Sequence, residues 1–382
     1  MSTIDPIEKF RSSFHRSPTL HHFNNAGVAP ISIQAKEAVA HWANRFFEEG
    51  IHSVTDAMAE TETTRNRLAS LLGSSPDEIG FFQSAASAIS QVAFGLELGP
   101  DDEVVVWDQE YPSNFHPWRL ACERSGAKLV VVNSGAEFSA PLEELEKVLT
   151  KRTKIIAFSW VQYRTGAIVD LENLTALARS KNILTCSDII QGAGLLPFDF
   201  AKSGLDFACG GSHKWFVSPL STGYLITKKS LLESLSPLLV GAMTFGGPDS
   251  LPTDVEMNPT AARFEPGSRG ILELVGFGAS LKLIEEVGIA RISQEVEWLS
   301  KRLMHGLREI GYVIHSPHGA HFRGSIVNFT PSQTSSARTN DEIAERLSKQ
   351  HVSFGRRPPG IRLAPHAFNS QEEVERLLSI LS

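Results

Sequence analysis

One lysine and one aspartate follow two apolar segments of the sequence and could together perform carbonyl chemistry. Lys214 stands after Gly-Gly-Ser-His and before Trp-Phe, shortly beyond the apolar residues 205–209. A lysine that is partly desolvated there has a lowered pKa, which makes its amine nucleophilic towards a carbonyl. Asp188 follows the apolar residues 183–186, and a carboxylate at a buried strand end needs a partner. The protonated ring nitrogen of pyridoxal phosphate (PLP) is such a partner.

Each of these residues also has an ordinary structural interpretation. Lys214 taken alone is consistent with a surface lysine, which is the usual location of this residue type. Asp188 is equally consistent with the N-cap of a helix. Residues 83–88 begin a helical pattern and would expose N–H groups to an anion such as a phosphate, but serine-rich helix starts are also common caps. Arg362 could bind a substrate carboxylate through its planar guanidinium, or it could be solvated.

The elements around these residues predict an α/β fold. Six short segments rich in Val, Ile, Leu or Phe lack polar alternation, which is typical of strands buried on both faces. They alternate with helical patterns, and this alternation predicts a mostly parallel sheet covered by helices. The predicted strands are residues 103–107, 128–132, 154–160, 183–186, 205–209 and 223–226, and the predicted helices are residues 113–125, 141–149 and 171–180.

The last third of the chain predicts a smaller α+β domain, because strands and helices are mixed there without regular alternation. The Gly/Pro-rich residues 240–259 form the natural join. We therefore predict a large domain of residues 15–258 and a small domain of residues 1–14 and 259–382. The small domain's predicted elements are a helical stretch over 268–310, strands at 312–314 and 324–329, a helix at 340–350, a strand at 361–363 and a helix from Ser370.

The polar residues that follow the predicted strands define one candidate site, because open α/β sheets bind ligands at the carboxyl ends of their strands. Four of the six predicted strands are followed by such residues, whereas chance would scatter them along the chain. The residues are Tyr111 after 103–107, Tyr163 and Arg164 after 154–160, Asp188 and Gln191 after 183–186, and Ser212, His213 and Lys214 after 205–209.

Bulk composition excludes several classes of function. The chain has 382 residues, of which 42% are hydrophobic and 21% charged, which suits a globular protein with two cores. A net charge of −7 argues against nucleic-acid binding, and neither a membrane-spanning run nor a signal peptide is apparent. We therefore expect a cytoplasmic protein without a membrane or nucleic-acid partner. The scattered Cys122, Cys186 and Cys209 predict buried small side chains rather than a disulfide or a metal site.

The order of these motifs resembles the class V aminotransferase family of fold-type I PLP enzymes, which includes cysteine desulfurases, selenocysteine lyases, isopenicillin N epimerase and kynureninase. The resemblance extends over nearly the whole chain and implies a sheet of the seven-stranded type. Its most specific part is the spacing from Asp188 to Ser-His-Lys-Trp. The matching motifs are Asn24-Asn25-Ala-Gly, residues 84–87, Glu110-Tyr-Pro-Ser-Asn114, Asp188-x-x-Gln191, Ser212-His-Lys214, Arg263-Phe-Glu-Pro-Gly-Ser268 and Gly360-Ile-Arg362.

The resemblance implies a role for each matching residue, with PLP as cofactor. Lys214 would carry PLP as a Schiff base and move the proton of the substrate's α carbon, while Asp188 would pair with the ring nitrogen. Tyr111 would stack on the ring, and Arg362 would bind the substrate carboxylate. The other implied contacts are Gln191 with the phenolic oxygen, Ser212 with the cofactor, His213 and the N–H groups of Ala86 and Ser87 with the phosphate, Ser268 with a phosphate across a homodimer interface, and Asn25 and Tyr163 in the substrate cleft.

Departures from the family pattern reduce the range of reactions that we expect. Ala86 stands where the family often has Thr, Tyr111 where desulfurases have His, and Tyr163 where many members have Asn. Residues 351–361 contain no Cys, although desulfurases carry a sulfur-accepting Cys before the carboxylate-binding Arg. We therefore do not expect a desulfurase that forms a persulfide on the protein.

Our first hypothesis is a class V aminotransferase-like enzyme that transforms a small amino acid at its α carbon and works as a homodimer. The alternatives are a β-eliminating C–S lyase without the persulfide Cys and an amino-acid epimerase. A nucleotide-binding protein is a hypothesis from another class, suggested by Gly276-Phe-Gly278. These glycines lie in a helical pattern and follow no strand, so the dinucleotide fingerprint lacks its context.

Overall fold

The computed structural model describes residues 5–15, 17, 19–135, 141–246, 256–319, 326–332 and 339–382. The strands are β1 (His21–His22), β2 (Ile79–Phe82), β3 (Glu103–Trp107), β4 (Lys128–Val132), β5 (Thr153–Ser159), β6 (Leu184–Asp188), β7 (Phe207–Gly211), β8 (Gly223–Thr227), β9 (Tyr312–Ile314), β10 (Val327–Pro331), β11 (Val352–Ser353), β12 (Gly355–Arg357) and β13 (Gly360–Leu363). The α-helices are α1 (Pro6–Ser12), α2 (Ile33–Glu49), α3 (Val54–Leu72), α4 (Ala85–Gly95), α5 (Pro112–Ser125), α6 (Leu142–Val148), α7 (Leu171–Ser180), α8 (Phe200–Ser203), α9 (Ile271–Val287), α10 (Ile289–Glu309), α11 (Asn340–Lys349) and α12 (Gln371–Leu381).

Seven strands form one large sheet in the order β2-β8-β7-β6-β5-β3-β4. Only β8 runs against its neighbours, since it pairs antiparallel with both β2 and β7. The predicted α/β fold with a mostly parallel seven-stranded sheet is therefore confirmed. Strand β2, at one edge of the sheet, was not among the six predicted strands. This strand reads only Ile-Gly-Phe-Phe, and an internal glycine weakens a strand signal.

Both faces of the sheet are buried, as the apolar runs predict. On one face Val104 and Val106 of β3 join a core with Ile89 of α4 and Trp118 of α5. On the other face Val105 belongs to a core that also contains Leu174 of α7 and Phe277 of α9. Full burial of each such side chain contributes roughly 1.5–3 kcal/mol. Helices α4 and α5, which begin beside the candidate site, thus lie on the same face of the sheet.

The predicted helical stretch over 268–310 is two helices, α9 and α10. They are separated by Gly288, whose φ of 88° is incompatible with a continuous right-handed helix. The glycines of Gly276-Phe-Gly278 lie inside α9 and serve packing. A Cβ at Gly276 would lie 2.8 Å from Pro219 and 2.9 Å from Val39, and one at Gly278 would overlap Thr64 Oγ1 of α3. The nucleotide-binding hypothesis therefore loses its structural basis.

A second, antiparallel sheet in the order β12-β13-β10-β9 lies in the last third of the chain. It packs with α10, α11 and α12 around a separate core that includes Leu303, Phe329, Leu347, Leu363 and Leu377. The chain's beginning reaches this region, because β1 pairs parallel with β11 and Asn24 bridges to Ala364. The domain boundaries stay a prediction, and residues 247–255 of the predicted join lie outside the described residues.

The remaining expectations about the bulk of the chain concern membranes and cysteines. Within the described residues, no helix is long and apolar enough to cross a membrane. All three cysteines are free and buried, which agrees with their interpretation as small core side chains.

We expect Gly278→Val to destabilise the protein by about 1–3 kcal/mol, because the added side chain would overpack the contact between α9 and α3. Urea or thermal unfolding measures the effect. Gly99→Ala is the control, since its Cβ would approach only Asp102 Oδ2, at 3.9 Å. Equal stability of the two variants would contradict the packing role.

Candidate active site

Asp188 and Lys214 lie at the carboxyl ends of two directly paired strands, β6 and β7. Asp188 ends β6 and is 4% exposed, on the face of the sheet that α4 and α5 cover. Its Oδ1 accepts a hydrogen bond from the N–H of Ile190 at 2.9 Å, and no other donor in the described chain reaches the carboxylate. Burial raises the pKa of Asp188, while the Ile190 N–H and the charge of Lys214 oppose this rise. The second carboxylate oxygen is thus left for an outside donor.

Lys214 has the lowered pKa that carbonyl chemistry requires. Burial lowers the pKa of its amine to about 8, opposed by the carboxylate of Asp188 and assisted by the charges of Arg362 and Arg357. The Lys214 side chain is partly buried, and among the described residues no carboxylate forms a salt bridge with its amine within 4 Å. A substantial fraction of the amine is therefore uncharged in mildly alkaline solution, which is the nucleophilic form.

Two tyrosines line the opening of the same cleft. Tyr111 is the N-cap residue of α5 and is 40% exposed, and the Nζ of Lys214 lies 5.8 Å from its ring centre. The ring of Tyr163 meets that of Tyr111 edge-on at 5.0 Å. The hydroxyl of Tyr163 accepts a hydrogen bond from Arg164 Nε at 2.8 Å. Tyr111 is thus placed to cover a planar ligand beside the lysine.

The start of α4 offers fewer anion donors than the sequence suggested. Ser84 is the N-cap, and its Oγ accepts the N–H of Ser87 at 3.2 Å, while Ser87 Oγ accepts the N–H of Ser84 at 3.0 Å. The N–H of Ser87 is therefore engaged inside the cap. The N–H groups of Ala85 and Ala86 have no intrahelical partner and remain for an anion. A Cβ at Gly223 would overlap the backbone of Ser84, so glycine lets β8 approach this helix start.

The loop around Lys214 is fixed by its own hydrogen bonds. Ser212 Oγ donates to the carbonyl of Pro219 at 2.9 Å. Gln191 donates one amide N–H to Ala26 O at 3.0 Å and accepts from Trp215 Nε1 at 2.9 Å, which leaves one amide N–H for a ligand. Ser212 and Gln191 thus hold the strand end in place in addition to any contact with a cofactor.

His213 and Ser268 are two further residues that the sequence predicted to contact a phosphate. Burial, and secondarily the charge of Lys214, lower the pKa of His213 to about 4, so at neutral pH its ring is uncharged. It could bind a phosphate as a single hydrogen-bond donor rather than as a cation. Ser268 is exposed and lines a cavity of about 660 Å³ together with Gln83, Ser87 and Thr222.

Arg362 has the features of an anion receptor. It is 2% exposed, its two terminal nitrogens donate to Tyr163 O at 2.8 Å and Asn24 Oδ1 at 3.1 Å, and its Nε is buried without a partner. Burial, followed by the charge of Arg357, lowers its pKa to about 10. Asn25 donates to Ala364 O at 3.0 Å, and its own buried Oδ1 has no partner. A buried guanidinium without a counterion is costly, so an external anion fits this position.

Sequence reasoning missed two residues of this site. Asn24, rather than Asn25, contacts Arg362, which depends on how the chain's beginning meets β13. Glu110 was noted only as part of a motif, yet it is buried and accepts hydrogen bonds from the N–H and hydroxyl of Ser159 and the amides of Asn114 and Gln162. Burial raises the pKa of Glu110 to about 7, against the effect of these donors. Its position directly before Tyr111 at a strand end was the available signal.

The described residues fit PLP at three points. A buried carboxylate with an open oxygen, Asp188, fits a protonated ring nitrogen. An amine of lowered pKa, Lys214, fits an aldehyde, and the first N–H groups of α4 fit a phosphate.

Solved structures of PLP enzymes share this fold. The apo cysteine desulfurase from Thermococcus onnurineus matches with a TM-score of 0.88 at 23% identity, over 100% of this chain and 98% of that chain. The cystine C–S lyase C-DES, in complex with its reaction product cysteine persulfide, matches with a TM-score of 0.88 at 23% identity, over 94% and 96% of the two chains. A C-DES mutant with glycine covalently linked to its PLP cofactor reaches 0.90 at 22% identity, over 97% and 98%. The architecture is that of a fold-type I PLP enzyme.

The model of the family "Aminotransferase class-V" matches residues 28–377, so the chain belongs to the class V aminotransferase family. One relative is a probable cysteine desulfurase of Pyrococcus abyssi, 26% identical over 98% of this chain and 96% of the relative. Another is the uncharacterized aminotransferase YcbU of Bacillus subtilis, 26% identical over 97% and 96%. The predicted family, a PLP-dependent enzyme and PLP as its cofactor are confirmed.

We expect Glu110→Gln to lower the melting temperature, because an amide N–H₂ would face hydrogen-bond donors and the loss would be about 2 kcal/mol or more. Burial raises the pKa of Glu110 above the ordinary value of 4.5, so its contribution to stability is full below about pH 4.5 and declines as the pH rises towards 7. The difference in melting temperature between wild type and variant should therefore shrink over this range.

Glu123→Gln is the control for this variant, because Glu123 is an exposed residue of α5 that pairs only with Arg119. A difference between wild type and Glu110→Gln that stays constant from pH 4.5 to 7 would refute the raised pKa of Glu110.

Proposed function

We propose that this protein transforms a small amino acid at its α carbon, with transamination as the first candidate reaction. The observation that carries the proposal is the convergence of Lys214, Asp188 and Arg362 on one cleft. In the described chain none of the three forms a salt bridge, although Asp188 and Arg362 are buried and Lys214 is partly buried. Buried charged groups without partners in the protein are typical of sites where a bound ligand supplies the partner.

Each of the three residues has a distinct task in this proposal. PLP, when bound, supplies an aldehyde for an amine and a ring that accepts an electron pair. Lys214 would hold PLP through that aldehyde, and its amine, when free, would take a proton from the α carbon of the substrate. Asp188 would keep the ring nitrogen protonated by accepting its N–H, and Arg362 would orient the substrate through its carboxylate. The carbon to which Lys214 returns the proton decides which product forms.

The remaining residues would fix the cofactor and the substrate. The N–H of Ala86 and the ring of His213 would bind the phosphate, with Ser87 holding the helix cap. Tyr111 would cover the ring, and the free amide N–H of Gln191 would bind the phenolic oxygen. The other assigned residues are Ser212, which anchors the loop of Lys214, Ser268 at the phosphate side, and Asn25 and Tyr163 in the substrate cleft.

We further propose a homodimer. Three consecutive apolar residues, Leu238, Leu239 and Val240, are 47%, 65% and 63% exposed. Leu238 and Leu239 line the same cavity as Ser87 and Ser268. Burial of this surface by a second copy would bring the partner against the phosphate side of the cleft. The cytoplasmic location also remains a proposal.

A β-eliminating C–S lyase is the second candidate, favoured by the similarity to the cystine C–S lyase C-DES. The cysteines argue against a sulfur transfer to the protein itself. All three are buried, burial raises the pKa of Cys122 to about 11 and that of Cys209 well above its ordinary value, and residues 351–361 contain none. A thiol in its protonated, buried form is a poor sulfur acceptor.

Lys214→Ala should abolish covalent attachment of the cofactor. Wild-type protein should absorb in the visible and retain the cofactor through denaturing gel filtration after borohydride reduction, whereas the variant should release it. In wild type the rate of attachment to the apoprotein should rise with pH and level off above about 8, because only the uncharged amine attacks. Lys228→Ala is the control, since Lys228 is exposed and directly follows β8. Cofactor fixed to the Lys214→Ala variant would overturn the assignment.

Incubation with a panel of L-amino acids distinguishes the candidate reactions. Transamination should give keto acid only when an α-keto acid acceptor is present. Keto acid and ammonia without an acceptor, with sulfide from sulfur-containing substrates, would favour the lyase instead. Loss of optical rotation without keto acid would favour an epimerase. If the protein binds PLP but converts no amino acid in any of these assays, the proposed function is wrong.

A further inference from the structure

A second arginine shares a face of the β12–β13 hairpin with Arg362. The register pairs Gly355 with Arg362 and Arg357 with Gly360. Because residues two apart along a strand point to the same side, Arg357 and Arg362 lie on one face, and each stands opposite a glycine. A Cβ at Gly355 would lie 3.1 Å from Arg362 Nε. Gly355 thus leaves room on this face for the guanidinium of Arg362, whereas Gly360 allows the close approach of the Phe329 backbone.

Within the described residues, neither guanidinium has a hydrogen-bond partner for every one of its nitrogens. The Nε atoms of both Arg357 and Arg362 are buried without a hydrogen-bond partner. The only side-chain hydrogen bond found for Arg357 within the described residues runs from a terminal nitrogen to the carbonyl of Arg356 at 2.7 Å. Over the same residues no carboxylate pairs with either arginine within 4 Å. Buried donor atoms of charged groups that have no partner indicate a missing acceptor.

A third arginine is tied to the same place. The amide of Asn328 donates to both Arg164 O at 3.1 Å and Arg357 O at 3.0 Å, which holds the two backbones side by side. The guanidinium of Arg164 lies over the ring of Tyr163, 5.4 Å from its centre. The charge of Arg357 also lowers the pKa of Lys214 and of Arg362, so Arg357, Arg362 and Lys214 lie near one another in the cleft.

The charge balance of the cleft calls for more than one anionic group. The guanidinium groups of Arg362 and Arg357 and the amine of Lys214 share this cleft with the carboxylate of Asp188, which the proposed function assigns to the ring nitrogen. The buried carboxyl of Glu110 already accepts hydrogen bonds from Ser159, Asn114 and Gln162. An α-carboxylate would supply one negative charge to Arg362. Arg357 would then still repel Lys214 and Arg362 without compensation, at a cost that a second anion removes.

We propose that the substrate carries a second oxyanion on its side chain, a carboxylate or a sulfinate, bound by Arg357 with Arg164 while Arg362 binds the α-carboxylate. This inference rests on the proposed function. The planar fork of an arginine matches either oxyanion through two parallel hydrogen bonds. A neutral side chain of the same size would leave the buried Nε of Arg357 without an acceptor.

Kinetics with matched substrates tests the proposal. L-Aspartate, L-glutamate and L-cysteinesulfinate are compared with L-asparagine, L-glutamine and L-cysteine, using the holoenzyme. Wild type should prefer the acidic member of at least one pair, and the pair shows whether the oxyanion is a carboxylate or a sulfinate. Arg357→Gln should lower kcat/KM for that acidic substrate by about tenfold or more and leave its neutral partner nearly unchanged. Arg357→Lys, which keeps the charge, should retain an intermediate preference.

Arg356→Gln is the matched control. Arg356 is the preceding residue of the same strand, points to the opposite face and forms an exposed salt bridge with Asp341, so its loss should not alter the preference. If Arg357→Gln weakens acidic and neutral substrates equally, Arg357 only reinforces the α-carboxylate site and the proposal is overturned. Equal use of both members of every pair by wild type also overturns it.

Ligand binding provides a second readout that needs no turnover. Succinate and glutarate should raise the melting temperature of the holoenzyme more than acetate and butyrate do, and Arg357→Gln should remove this difference. A protein with a visible cofactor band but no dicarboxylate preference would overturn this inference alone. A protein that never acquires the band would overturn the proposed function instead, so the two failures are distinguishable.

Discussion

The burial of one carboxylate beside one amine, at the ends of two paired strands, sets the conditions for the whole cleft. Burial disfavours the charged form of each group, so it raises the pKa of Asp188 and lowers that of Lys214, while each opposes the shift of the other. The result is an amine that can be uncharged under mild conditions and a carboxylate with one oxygen free. A hydrophobic sheet that is covered on both faces is what makes this environment possible.

The two sheets contribute different residues to the candidate site. The large parallel sheet fixes the residues assigned to the cofactor, because parallel strands bring their carboxyl ends to one edge and two helices begin there. The antiparallel sheet supplies Arg357 and Arg362, whose orientation depends on hairpin register rather than on strand ends. Glu110 supports the edge of the large sheet, since it ties the segment before Tyr111 to Ser159 of β5. The residues that we propose to bind the cofactor therefore lie mainly at the large sheet, whereas Arg357 and Arg362, which we propose to bind the substrate, lie on the second sheet with its separate core.

The sequence predicted those features that depend on local pattern. Strands β3 and β4 and helix α7 begin and end at the expected residues, because each is an uninterrupted apolar or amphipathic run. Strand β2 was not predicted, because a short strand that contains a glycine has little periodic signal. The helix break at Gly288 was not predicted either, because it depends on a single residue with positive φ. Lys214, Asp188 and Arg362 were recognisable from their motifs. Asn24 and Glu110 stood in quoted motifs, but their contacts were not predicted, and Arg357 was not singled out at all. These contacts arise from register and from hydrogen bonds between distant segments.

The contact between Arg362 and Asn24 joins residues 338 positions apart, and Asn25 reaches Ala364 in the same way. Chains emerge from the ribosome with the N-terminal end first, so the strands of the large sheet are available long before β13. The nascent protein can therefore build the part of the cleft that contains Lys214 before Arg362 has been synthesised. The contact between Asn24 and Arg362 thus forms only after the whole of the large sheet has been made, when two segments far apart in the sequence meet.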